Sequence, residues 1–146
     1  MNKYKMLRER QQKEFNGLPM FFAFSEKQFN EGMEKFGLSP NDTDKIVSIG
    51  YGGFMKKADS HLLHEMTERH EKERADAINE DLTGEGFICD MFDYELGNHE
   101  FTYTGEADDA LAALGIAASE IQADHRLKRG LELAMKKQWE WSALHD

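Results

Sequence analysis

The chain has 146 residues, 40 % of them hydrophobic, with 10 Phe and a formal net charge of −10. That length suits one domain with a single core, and the aromatic content argues against disorder. The negative balance disfavours direct contact with free nucleic acid or an anionic membrane, and it favours basic protein surfaces.

The N-terminal stretch MNKYKMLRERQQKEF lacks the apolar core of a signal peptide, and no run approaches the roughly 18 apolar residues of a spanning helix. With the single cysteine Cys89 there is no internal disulfide. The chain therefore reads as cytoplasmic and soluble.

In chain order, the basic start predicts a short amphipathic helix, with Tyr4, Leu7, Gln11 and Phe15 at helical spacing. Gly17 and Pro19 break it. Met20 to Phe24 is an aromatic-rich run that suits a buried strand. Ser25 and Gln28 have the spacing of a capping box, and Phe29, Met33 and Phe36 mark the helix that follows. Lys45 to Ile49 and Phe54 to Lys57 read as two strands joined by a turn at Gly50-Tyr51-Gly52-Gly53.

Asp59 is placed to cap a long helix from Ser60 to about Asp81, whose middle carries spaced pairs such as Glu68–Lys72. Phe87, Ile88, Met91, Phe92 and Leu96 predict another helix, with Asp90, Asp93 and Glu95 outside its apolar set. After Phe101-Thr102-Tyr103, a helix starts at Thr104 or Gly105 and runs to Leu114. A short helix near Ser119–Ala123 and a last one from Asp124 to about Trp141 complete the chain. Trp139 and Trp141 are expected to pack against the core.

These elements describe an α+β fold: a small three-stranded antiparallel sheet near the N-terminus, packed with four to six α-helices. We read one domain over 1–146, with a basic helix at 1–15, a strand-helix-hairpin region at 18–58 and a helical part at 59–141.

Few motifs carry chemistry. SIGYGGFMKK lacks both phosphate-loop spacings. His61, His64 and His70 share a helix with Glu65 and Glu68, but His64-Glu65-Met66-Thr67-Glu68 has Glu where a zinc motif has its second His. No calcium-loop pattern and no nucleophile elbow occur, and Cys89 lies in an apolar run as a buried filler. No catalytic residue, metal or cofactor is expected. A ligand site using Tyr51, Lys56, Lys57, His61 and His64 is the alternative reading, as a small-molecule or nucleotide binder or weak enzyme.

The distinctive feature is the segment from Ala75 to Asp124, which holds thirteen carboxylates and neither Lys nor Arg. Three readings stand side by side. The block improves solubility, or it is an acidic protein-binding face, or it imitates the phosphates of a duplex in a basic cleft. Asp90, Asp93, Glu95, Glu100, Glu106, Asp108 and Asp109 are the expected contact residues. The basic N-terminal helix either folds back on this block or meets a partner.

The combination MFFAFSEKQFNEGMEKFGL, KIVSIGYGGFMKKAD and TGEGFICDMFDYELGNHEFTYTGEADDALAALG resembles small acidic proteins encoded by phages, plasmids and integrative elements of gut bacteria. The resemblance covers residues 20–115 and leaves out the basic helix and the Trp tail. It implies an accessory protein that counters host defences, of the anti-CRISPR kind, by inhibiting a nucleic-acid-processing enzyme. It carries over no functional residue. The sequence leaves the partner and the oligomeric state open.

Overall fold

The computed structural model describes residues 1–145. It is α+β, with a three-stranded sheet in the N-terminal half and eight α-helices among the described residues. The helices are α1 (Lys3–Asn16), α2 (Glu26–Lys35), α3 (Ser60–Glu80), α4 (Phe87–Asn98), α5 (Phe101–Thr104), α6 (Asp108–Leu114), α7 (Ala118–Ala123) and α8 (His125–His145). The strands are β1 (Met20–Phe22), β2 (Ile46–Gly50) and β3 (Gly53–Lys56). The chain divides into two compact units, Gln11–Glu71 and Met1–Arg10 with the chain from Lys72 onward.

In the unit Gln11–Glu71, β3 is the central strand and pairs antiparallel with β1 and β2. Phe21 lies opposite Phe54, and α2 adds Phe29 and Phe36 to them. The four rings meet at centroid distances of 5.0–5.9 Å, mostly edge to face, the arrangement that aromatic quadrupoles favour. Met33 is fully buried beside them. Gly32 makes this approach possible, because a Cβ there would overlap the Phe21 ring.

Two local details differ from the sequence reading. Ser25 Oγ does accept from the Gln28 N–H at 3.2 Å, but the Gln28 side chain reaches back to the Phe24 N–H at 2.7 Å, one residue earlier than a capping box requires. Asp59 lies in a 3₁₀ turn, Lys57–Asp59, that leads directly into α3, so no Asp59 cap forms. Ser60 ties this turn to the helix, its hydroxyl donating to the Lys57 carbonyl at 2.8 Å.

The other unit is built around α4. Phe87, Ile88, Cys89, Met91, Phe92, Glu95 and Leu96 are all buried, so this helix is enclosed on nearly every side. Its most extensive packing is with α8. Gly130 and Ala134 of α8 are buried, and a Cβ on Gly130 would strike the Ile88 side chain. Phe101, Ala110, Leu114 and Ile121 close the core from α5, α6 and α7. Phe101 turns into this core from a short helix, Phe101–Thr104, and the next helix begins at Asp108 rather than at Thr104 or Gly105.

The α3–α4 connection is organised by one carboxylate. The N-cap position of α4 is Gly86, which has no side chain to offer. Asp81 substitutes from five residues upstream. Its Oδ1 accepts from the Thr83 and Gly84 N–H groups at 3.3 and 3.0 Å, and its Oδ2 from Gly86 and Ile88 at 3.1 and 3.0 Å. The negative charge thus lies at the positive end of α4. Arg126 caps the other side of the junction, donating to the carbonyls of Ile78 and Asp81 at 3.1 and 3.0 Å. Gly84 is at φ +86, and a Cβ there would run into the Arg126 carbonyl.

Partial burial alone would raise the Asp81 carboxyl, but the four backbone donors outweigh it and hold it below its ordinary range. A lowered folded value contributes stability above the unfolded value, near 4, and that contribution is lost as pH falls through the folded value. Asp81→Ala should therefore lower unfolding free energy at pH 7 by about 2 kcal/mol, the scale of a lost cap with orphaned donors. In chemical denaturation the gap to wild type should narrow as the pH drops below about 4. A gap of constant size across that range would contradict this role.

Candidate interaction surface

Eight of the thirteen carboxylates between Ala75 and Asp124 have internal partners. Asp81 holds its loop, as above. Glu95 is only 1 % exposed and accepts from Arg8 at 3.1 Å. Asp90 Oδ2 accepts from the Lys3 N–H at 2.9 Å, and Asp93 Oδ1 from the Gln138 amide at 2.8 Å. Asp76 pairs with Lys72 at 2.7 Å, Glu85 with Arg129 at 3.0 Å and Asp124 with Arg126 at 3.0 Å. Glu120 accepts from the Ala117 N–H at 2.7 Å, at the start of α7. Four of the eight, Asp76, Glu85, Glu95 and Asp124, pair with cations, and these come from both flanks of the segment.

The basic N-terminal helix is one of those flanks. Tyr4 is buried against Phe87 and Tyr94 at 5.9 and 5.5 Å. Arg8 lies 5.5 Å from the Tyr94 ring centroid and donates to the Tyr4 hydroxyl at 3.3 Å. Burial pushes the Tyr4 phenol up, and the Tyr4 hydrogen bond pushes the Arg8 guanidinium up. Arg10 adds an ion pair to Glu73. Of the two roles open to this helix, folding back is the one these contacts display.

Glu95 is therefore a correction to the expected contact set. It lies outside the apolar pattern of α4, yet that helix is enclosed so completely that its carboxylate is buried and needs a partner. Asp90 and Asp93 are half-buried and engaged as described. Glu100, Glu106, Asp108 and Asp109 are different: all four are exposed. Together with Glu80 they have no side-chain partner among the described residues.

These four acids lie within ten residues that run through α5 into α6. Glu100 starts α5 in the left-handed region at φ 56, an unusual conformation for a residue with a side chain. Tyr103 is 87 % exposed in their midst. The neighbouring Phe101 packs on Trp139 of α8 at 5.1 Å, and Trp139 remains 47 % exposed. Trp139 thus packs against the core as expected, whereas Trp141 meets His145. Trp141 is 58 % exposed and stacks on the His145 ring at 4.2 Å, and Ala134, about two turns earlier, is the last buried residue of α8.

The alternative ligand set does not converge. Tyr51 stands exposed at the β2–β3 turn, at φ 53, while Lys56 and Lys57 lie at the far end of β3. His61 faces the Ala58 carbonyl at 3.0 Å, and His64 pairs with Glu68 at 2.9 Å. Glu68 and Lys72 thus turn to His64 and Asp76 rather than to each other. Cys89 is buried, and that burial pushes its thiol up, away from the reactive thiolate. Among the described residues no helix is long and apolar enough to cross a membrane.

A family model matches residues 3–137. The chain belongs to the family described as Family of unknown function (DUF7659). The match takes in the basic N-terminal helix, which the sequence resemblance left out, and stops short of Trp139 and Trp141. No curated protein and no solved structure matches the chain.

The buried pair gives a direct test of this geometry. Arg8→Met should leave the Glu95 carboxylate without its arginine partner, with only His99 Nδ1 at 4.0 Å, and destabilise the fold by about 2–3 kcal/mol, below the range for fully enclosed pairs because Arg8 is half-exposed. Adding Glu95→Leu should restore most of that loss in equilibrium denaturation. Additive losses in the double variant would show that the two side chains are not coupled.

Proposed function

We propose that this family member is a non-enzymatic protein-binding module. Its partner-facing surface is the segment Glu100–Asp109, with Glu100, Glu106, Asp108, Asp109 and Tyr103 as the contact residues. The observation that carries the reading is the contrast within the acidic block: most of its carboxylates serve the fold, whereas these four are exposed and unpartnered. Solubility alone accounts for the acids but not for an exposed tyrosine among them.

The chemistry selects a basic partner. Carboxylates accept charge-assisted hydrogen bonds from guanidinium and ammonium groups, and an exposed aromatic face adds cation–π attraction, best for Arg. Tyr and Trp are also common anchors of interfaces. A partner surface bearing Arg and Lys around an apolar centre fits this arrangement. The sharper form of the proposal is a mobile-element protein that inhibits a nucleic-acid-processing host enzyme by occupying its basic cleft. With so many carboxylates engaged internally, a compact contact suits this chain better than a long imitation of a phosphate lattice.

Capture from a bacterial lysate tests the proposal. Tagged wild-type protein should retain a basic protein that elutes in a salt-dependent step. Reversing Glu100, Glu106, Asp108 and Asp109 to Lys should abolish capture without unfolding the chain. The same reversal at Glu31, Glu34, Glu65 and Glu71, also exposed, should leave capture intact. Retention by the first variant, or equal loss in both, would defeat this surface.

A further inference from the structure

A second site, unrelated to the acidic surface, lies at the end of the sheet in the unit Gln11–Glu71. Lys45 immediately precedes β2, Lys56 ends β3 and Lys57 follows it. The register of the antiparallel pair sets Ile46 opposite Lys56, which brings these lysines to one end of the sheet. They line a cavity of about 360 Å³ together with Leu38, Asp44 and Ala58. That is within the size range of small-molecule sites, which join apolar walls to a few convergent polar groups.

The charges are unbalanced. Three lysines and one carboxylate, Asp44, are among the lining residues. A second acid, Asp42, lies 3.9 Å from Lys45. Among the described residues Lys56 and Lys57 have no carboxylate partner; the Lys56 ammonium lies over the Phe36 ring at 5.4 Å. In a chain of net charge −10, a concave site with excess cations stands out against the rest of the surface.

We propose that this cavity binds a small phosphate monoester with an apolar body. A phosphate monoester carries close to two negative charges at neutral pH, which matches the two unpartnered lysines, and it offers acceptor oxygens to their N–H donors. Lysine serves as a point-charge partner for phosphate. The apolar body lies against Leu38 and Ala58. Tyr51, His61 and His64 take no part.

Amide NMR titration of the full chain with phenyl phosphate tests this. Saturable shifts should centre on Lys45, Lys56, Lys57 and Ala58, with weaker binding of inorganic phosphate and none of phenol. Lys56→Gln/Lys57→Gln should bind phenyl phosphate about tenfold more weakly, the scale of lost charge-assisted hydrogen bonds. Lys57→Glu, at an exposed residue outside the strand, should show the same loss if the double variant fails to fold. His61→Ala/His64→Ala should bind normally. The absence of saturable shifts, shifts that survive in the lysine variants, or equal binding of benzoate would overturn the proposal.

Discussion

The enclosure of α4 is the constraint from which most of this structure follows. A helix buried on nearly every side must satisfy each polar group it carries from its own neighbours, because water does not reach them. Its N-terminus is served by Asp81, and the carboxylate of Glu95 draws in Arg8. Its half-buried Asp90 and Asp93 take donors from the main chain of Lys3 and the side chain of Gln138. The same enclosure leads α8 to present Gly130 and Ala134 where the two helices are closest.

This arrangement changes the meaning of the acidic third of the chain. As a row of letters it is a long uncompensated run. In the folded chain eight of its carboxylates are engaged, four by cations from either side and four by backbone or amide donors. What remains unmet is concentrated between Glu100 and Asp109, next to an exposed tyrosine. The proposed binding role rests on that residue of unmatched charge, and the proposed phosphate site rests on the opposite imbalance at the end of the sheet. The two proposals stand or fall separately.

The strands and most helices were legible because their signals are local. Aromatic runs bounded by Gly and Pro marked the sheet, and apolar spacing marked α2, α3, α4 and α8. The sheet's extra detail was not: Gln28 bonds Phe24 rather than Ser25, a choice made by the bend leaving β1. The sequence puts a helix start at Thr104 or Gly105, whereas Phe101–Thr104 forms a short helix of its own around the buried Phe101 and the next begins at Asp108. Arg8 and Glu95 are 87 positions apart, so no spacing rule links them. Asp81 as a remote cap is likewise invisible to motifs that expect the capping side chain beside the helix it serves. Of the expected contact acids, four remain available because their side chains are exposed, and Glu95 is lost because a polar letter in an apolar helix says nothing about which side is covered. Lys56 and Lys57 were legible as a basic pair, but Lys45 joins them only through strand register.

The most direct test of the account is carboxylate footprinting of the native chain, using carbodiimide coupling to a small amine with peptide mass spectrometry. Glu100, Glu106, Asp108 and Asp109 should be modified rapidly, while Asp81, Glu95 and Asp124 stay protected until the chain is unfolded. Even labelling across the acidic block would contradict the division between structural and available carboxylates on which the proposed surface depends.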